Sequence, residues 1–286
     1  VPAVSVLVAV HNGLPYLEPA LRSVMQQTLR DIEILVVDDA STDATPAVLA
    51  RLAGEDPRIR VIRLAQNLRL ARALNAGLDA ARAPLVARMD ADDIAHPTRL
   101  AVQKAFMDAN PEVVLCGASF RRIDAEGRVL HTNRRDYDDA VVRFLMRFNA
   151  PLVHPTFMFR RLAPDGTALR YDPAMPVAQD YGLTVAAAAL GEVVSLPEVL
   201  LDWRTHGGSV SVTRLAAQAA QAMAIARQVM ARDLPPDLFA AAEPLLPVFS
   251  GAGPVTPAEL RRAIAVLRRM VARDAARLPG RAGDFR

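Results

Sequence analysis

Arg88-Met89-Asp90-Ala91-Asp92-Asp93 sets three carboxylates directly after the apolar run Pro84–Ala87 and ahead of a helix-like segment that opens near Pro97. Side chains of an extended chain alternate, so Asp90 and Asp92 at i and i+2 leave one face and can converge on one ion. Hard oxygen ligands grouped outside the carboxyl end of a strand suit Mg²⁺ or Mn²⁺ carried by a phosphorylated ligand rather than zinc. Loop aspartates also cap helices and make turns, so the cluster takes its meaning from the elements that position it.

Those elements alternate regularly. Val4–Val10 is an apolar, β-branched run stopped by His11-Asn12-Gly13, and Ile32–Val37 is a second, closed by Asp38-Asp39-Ala40-Ser41-Thr42-Asp43. The spacing predicts helices over Pro15–Gln27, Thr45–Leu52 and Leu70–Ala81, a third strand at Arg60–Leu64 and a fourth at Pro84–Met89, with Thr45 the candidate cap ahead of Pro46. Strands and helices alternating at these lengths build a parallel sheet covered on both faces, with its ligand crevice at the carboxyl ends of the strands. His11-Asn12, Asp38-Asp39 and Asp90–Asp93 all fall on that rim. No G-x-G-x-x-G follows the first strand and no G-x-x-x-x-G-K-[ST] occurs, so a glycine-rich loop does not hold the phosphates; a metal on Asp90 and Asp92 could.

Further along, the pattern gives a helix over Pro97–Asn110, a strand at Val113–Ser119, a hairpin in Phe120–Asn133, and a strand at His154–Arg160. A proline-punctuated loop (Tyr171–Ala178) leads into a helix from Asp180 to about Leu190; Val193–Trp203 is extended, and Thr205–Ser209 is a glycine-containing loop. Two alanine-rich helices, Val212–Arg232 and Pro257–Leu278, close the chain, which divides it into residues 1–211 and a helical extension, residues 212–286.

With 286 residues, 52% of them hydrophobic, the chain can bury a large core. It has no run of about eighteen apolar residues that could span a bilayer, and Val1–Val10 lacks the features of a signal peptide. A cytoplasmic protein is expected, with at most peripheral contact at the inner face of the cell membrane. The lone Cys116 reads as a buried strand residue in a reducing compartment. The net charge of +3 is nearly all arginine spread along the chain, so no nucleic-acid partner is expected.

VSVLVAVHNGLPYL, EILVVDDASTD, NLRLARALNAGL, ARMDADDIAHPTRL, HPTFMFRR, AQDYGL and LDWRTHGGSVS occur in one order over roughly residues 4–211. Together they resemble the family 2 glycosyltransferases, inverting enzymes that transfer sugar from nucleotide donors. The resemblance implies an α/β GT-A fold: a Rossmann-like, mostly parallel sheet flanked by helices, here with a C-terminal helical appendage. By the same resemblance, Asp39 and the backbone around Ala9 to His11 would contact the nucleotide. Asp90 and Asp92 would form the D-x-D pair, with Asp92 the direct ligand of Mg²⁺ or Mn²⁺, and Asp90 also facing the donor. Asp180 would be the general base, and His206 a C-terminal histidine on the metal. A UDP-sugar would be the donor, and a saccharide or lipid-linked acceptor would receive the sugar, in cell-surface polysaccharide or glycoconjugate synthesis.

The chemistry explains these residue types. Inversion requires the acceptor oxygen to attack opposite the leaving group, so one carboxylate must take the acceptor's proton. The departing nucleoside diphosphate gathers negative charge, which a divalent cation offsets. The sequence departs from the family pattern at Gln179 (glutamate in the family), Arg69 (glycine) and Ala9 (proline), and Gln179 removes a charge beside the base. Two further readings stand beside transfer: a non-catalytic nucleotide-sugar binder, motivated by Gln179, and a sugar-phosphate nucleotidyltransferase, disfavoured by the absent glycine-rich loop. Asp38 and Asp39 also suit an Asx-turn with Ser41, and His154 and Trp203 suit core positions. The arginines of the last helix suit a solvated face, and the apolar stripes of the C-terminal helices suit packing on the main domain, a second subunit or a membrane.

Overall fold

The computed structural model describes residues 1–207, 215–249 and 255–277. Its strands are β1 (Val4–Val10), β2 (Ile32–Asp38), β3 (Ile59–Arg63), β4 (Leu85–Asp90), β5 (Ile94–Ala95), β6 (Val113–Ile123), β7 (Val129–Asn133), β8 (Met158–Arg160) and β9 (Glu192–Arg204). They form one mixed sheet in the order β3-β2-β1-β4-β8-β6-β9-β5, with β7 on β6. The first four strands are all parallel, as the alternation with helices requires, and β6 runs parallel to β9. Antiparallel pairs join β4 to β8, β8 to β6, β6 to β7 and β9 to β5.

Helices α1 (Leu17–Met25), α2 (Thr45–Glu55) and α3 (Leu70–Ala80) connect the first four strands. Every residue of β2 is buried, and β1 is buried but for the half-buried Ala9. That is the pattern of strands covered on both faces. Val6 and Val8 pack with Leu17, Leu21 and Leu49 on one side, while Leu7 packs with Leu74 and Leu78 on the other. Gly77 permits this second contact: a Cβ there would lie 2.2 Å from Leu7 Cδ1, so α3 could not lie as close to β1 with any larger residue.

Helices α4 (Arg99–Ala109), α5 (Asp139–Leu145) and α6 (Gln179–Leu190) serve the second half of the sheet. The C-terminal part comprises α7 (Leu215–Asp233), α8 (Pro236–Ala242) and α9 (Pro257–Arg277), with single turns at Glu243–Leu245 and Leu246–Phe249. Residues 212–214 and Leu278, included in the helices expected from sequence, lie outside the described residues. Of the three packing partners open to these helices, the main domain is one they use. Ile225, Val229, Met230, Val266 and Met270 join the same hydrophobic cluster as Phe148, Tyr181 and the α3 side of the sheet. Arg147, almost fully buried, pairs with Asp274 across this junction.

Three local expectations are corrected. His154–Thr156 is a 3-10 turn, and only Met158–Arg160 is strand, because Pro155 has no N–H for a sheet ladder. Thr45 does not cap α2; its Oγ1 accepts from Gly13 N at 2.9 Å, while Asp43 Oδ1 accepts from Thr45 N at 2.9 Å. The third correction concerns the carboxylate cluster: β4 ends at Asp90, and Asp92 stands in the following turn. The same-face partner of Asp90 on the strand is therefore Arg88, two residues before it.

Candidate active site

The register of the sheet gathers the rim. Ala9 lies beside Asp90 across β1 and β4, and Val10 lies beside Asp38 across β1 and β2. Beyond these strand ends the chain turns through Asn12 and Ala40, both with positive φ. Asn12 N donates to Ser41 Oγ at 2.9 Å, and Asn12 Oδ1 accepts from Thr42 N at 2.9 Å, so the two turns are stitched together. His11 adds a contact from Nδ1 to the Asp39 carbonyl at 2.8 Å.

The two adjacent aspartates divide their work. Asp38 makes the turn, its Oδ1 accepting from Ser41 N at 2.9 Å. Asp39, 4% exposed, faces the loop before α3: Oδ1 accepts from Leu68 N at 2.7 Å and Oδ2 from Arg69 N at 2.9 Å. Each oxygen retains a lone pair for a ligand. The Asx-turn thus belongs to Asp38, and the rim-facing carboxylate is Asp39.

Asp90, Asp92 and Asp93 each offer an oxygen, all within 4.8 Å of one another. Asp93 is fully buried; its Oδ1 accepts from Arg204 N at 2.8 Å, and its Oδ2 has no hydrogen-bond partner. Arg204 Nε donates to the Asp92 carbonyl at 2.8 Å, fixing the turn to the end of β9. This brings His206 across the rim, with Nε2 3.0 Å from Asp92 Oδ2 and its ring tilted against Tyr16, the centroids 4.7 Å apart. Burial pushes the Asp92 carboxyl above its ordinary range and the Asp90 charge adds to this, while His206 opposes it. Carboxylates crowded until they resist ionising, one with an unpartnered buried oxygen, plus the His206 imidazole beside them, make a donor set that fits Mg²⁺ or Mn²⁺.

Arg88 lies underneath, 2% exposed, with its guanidinium on both oxygens of Asp90 and Nη1 at 2.7 Å from Oδ2. Its charge also reaches Asp180, Tyr171 and His154. His154 is buried and pairs through Nε2 with Tyr171 Oη at 2.8 Å; burial and then Arg88 push its pKa well below the usual histidine value, so the ring is neutral. This is the satisfied core histidine foreseen from sequence. Asp180 opens the first turn of α6 after Ala178, which adopts the left-handed conformation. Burial raises its carboxyl above the ordinary value and the Asp90 charge works the same way, against the Tyr181 amide and Arg88. The structure thus brings Ala9, His11, Asp39, Asp90, Asp92, His206 and Asp180 to one rim. Arg88, Arg204 and Tyr16 went unassigned in the sequence; strand alternation from Asp90 signals Arg88, whereas nothing local signals the other two.

A sheet order of 3-2-1-4 with a carboxylate turn after β4, on a mixed sheet flanked by helices, is the architecture of a GT-A type fold. The sequence model described as "Glycosyl transferase family 2" matches residues 5–165, and the chain belongs to that family. The amylovoran biosynthesis glycosyltransferase AmsE of Erwinia amylovora is 35% identical over 214 residues, 73% of this chain and 79% of that protein. The succinoglycan biosynthesis protein ExoO of Rhizobium meliloti is 35% identical over 223 residues, 74% of this chain and 63% of that protein. Among solved structures, TarS (residues 1–349) of S. aureus in complex with UDP-GlcNAc superimposes with a TM-score of 0.67 at 19% identity, covering 94% of this chain and 80% of that one. The mannosyltransferase PcManGT of Pyrobaculum calidifontis, in complex with GDP-Man and Mn²⁺, gives a TM-score of 0.62 at 22% identity, covering 99% and 80%. The chain is a family 2 glycosyltransferase of GT-A type, similar to proteins of polysaccharide biosynthesis.

Proposed function

We propose that this protein is a metal-dependent, inverting glycosyltransferase that moves a sugar from a nucleoside-diphosphate sugar to a hydroxyl of a saccharide or lipid-linked acceptor, in cell-surface polysaccharide synthesis. The observation that carries the reading is the pairing of His206 with Asp92 at 3.0 Å beside Asp90, opposite a half-buried Asp180. Asp92 and His206 would hold the cation directly, with Asp90 oriented by Arg88 beside them. Once bound, Mg²⁺ or Mn²⁺ would supply positive charge to the diphosphate leaving group.

Asp39, with the backbone at Ala9 and His11, would receive the nucleoside, and a UDP-sugar is the favoured donor. Asp180 would take the acceptor proton; burial raises its pKa, which makes it a stronger base than an exposed aspartate, while the Tyr181 amide and Arg88 work against the rise. Residues 1–211 would form the catalytic unit, while residues 212–286 would serve placement. Leu260 and Ile264, 52% and 41% exposed on α9 near Arg261 and Arg268, would meet the inner face of the membrane. Flotation with anionic vesicles that leaves the protein in bulk solution contradicts that placement.

Calorimetry with UDP and GDP, with and without Mn²⁺, tests the central reading. Micromolar binding that requires the cation is expected for one of them. Metal-independent binding, or none to either, contradicts it.

A further inference from the structure

The loop of residues 171–178 delivers the chain to α6 and so to Asp180, and it is tied down at both ends. At its start, Asn75 of α3 accepts from Tyr171 N at 3.0 Å through Oδ1 and donates to the Tyr171 carbonyl at 2.8 Å through Nδ2. At its end, Val177 N donates at 3.1 Å to Oε1 of Gln221, which belongs to α7 in the C-terminal extension. Val177 is 5% exposed. Without the Gln221 oxygen its N–H would be buried and unsatisfied, so the loop would shift until water reached it.

Ala178 follows Val177 directly, at φ 53° and ψ 30°, a left-handed conformation that a residue with a Cβ keeps only when its neighbours hold it. Its carbonyl accepts from Gly182 N at 3.2 Å, so the orientation of Ala178 sets how the first turn of α6, Asp180 included, begins. Met175 of the loop lies on that same turn: a Cβ at Gly182 would be 2.5 Å from its Sδ. The support behind Gln221 is firm, because Ile225, Ala226, Val229 and Met230 of α7 are buried in one hydrophobic cluster with Ala178 and Tyr181. A second tie lies just past Asp180. Tyr181 Oη donates to the Met146 carbonyl, and the next residue, Arg147, pairs with Asp274 of α9.

We propose that Gln221 is a positioning residue for the transfer reaction: from the C-terminal extension it holds the loop that sets the direction of the Asp180 carboxylate. The inference rests on the assignment of Asp180 as base. Gln221 acts through Val177 and Ala178 and not on a ligand, so the extension has a task in the reaction in addition to placement. A displacement of about 1 Å in a catalytic group costs roughly a hundredfold in rate, which makes a single hydrogen bond on this loop matter.

The test measures Mn²⁺-dependent release of nucleoside diphosphate from its sugar conjugate, together with nucleoside-diphosphate affinity, on the full chain. Gln221→Met keeps side-chain length and helix propensity but offers Val177 no oxygen. Its release should fall roughly tenfold to a hundredfold, with affinity within about threefold of wild type. Gln221→Glu keeps an oxygen for Val177 N and should stay within about threefold of wild type in both. On an Asp180→Asn background, Gln221→Met should cost no further rate, because a residue that acts only through the base has nothing left to act on. Unchanged release in Gln221→Met overturns the proposal, as does equal impairment of Gln221→Glu or a further loss on the Asp180→Asn background. A fall in affinity as large as the fall in release also overturns it, since the loop would then serve the donor cavity that it borders beside Leu68 and Arg69. Failure of the base assignment shows separately, as equal release from wild type and Asp180→Asn.

Discussion

Arg88 reaches along its own strand to hold both carboxylate oxygens of Asp90, so the first aspartate of the D-x-D pair is fixed by a buried guanidinium before any ligand arrives. This clamp stands between the strand core and the rim. Arg88→Met leaves the part-exposed Asp90 without its counter-charge, and a loss of about 2–3 kcal/mol is expected, below the full cost of a wholly buried pair. For a chain of this size that lowers Tm by roughly 5–10 °C. Arg88→Lys keeps the charge but not the fork and should fall between. A melting curve unchanged in Arg88→Met denies the clamp a structural role.

Asp92→Asn removes an anionic oxygen from the candidate cation site. Nucleoside-diphosphate affinity in Mn²⁺ should drop at least about tenfold, with affinity in the absence of metal unchanged. His206→Ala should cost less, since water can replace one neutral ligand. Superimposable Mn²⁺ titrations of wild type and His206→Ala remove His206 from the site.

Stability should depend on pH through Glu33. Burial works against its charge, but Ser5, Arg82 and Arg60 outweigh this and hold its pKa down at about 2. A folded pKa below the unfolded value gives stability that is fully present above about pH 4.5 and is lost as pH falls toward 2. Glu33→Gln should therefore be less stable than wild type by on the order of 2 kcal/mol at pH 7, and the gap should close in acid. Denaturation curves at pH 7 and pH 3 that show an equal gap rule out the linkage.

Much of this was legible in the sequence because the first half of the chain is built from local signals. Val4–Val10 and Ile32–Val37 are buried on both faces and read as strands from composition alone, and their polar stops fall at the rim by the geometry of parallel sheets. The antiparallel half was harder. Short β5 and β8 take their strand character from partners more than 60 residues away, Ile94 against Asp202 and Leu85 against Arg160. Alternation applied to Asp90 and Asp92 failed for a physical reason: the strand ends at Asp90, and the turn is shaped by Arg204, 111 residues on from Asp93.

The most direct measurement is metal-dependent release of nucleoside diphosphate from its sugar conjugate, compared between wild type and Asp180→Asn, with nucleoside-diphosphate affinity measured on both. Water serves as a slow acceptor, so the unknown natural acceptor is not required. The expected result is Mn²⁺-dependent release whose rate rises with pH through a limb above the ordinary aspartate value, as the raised Asp180 pKa requires. In Asp180→Asn release should fall by roughly a hundredfold to ten-thousandfold, with affinity within about twofold of wild type. Equal release from the two proteins would contradict the assignment of Asp180 as the base.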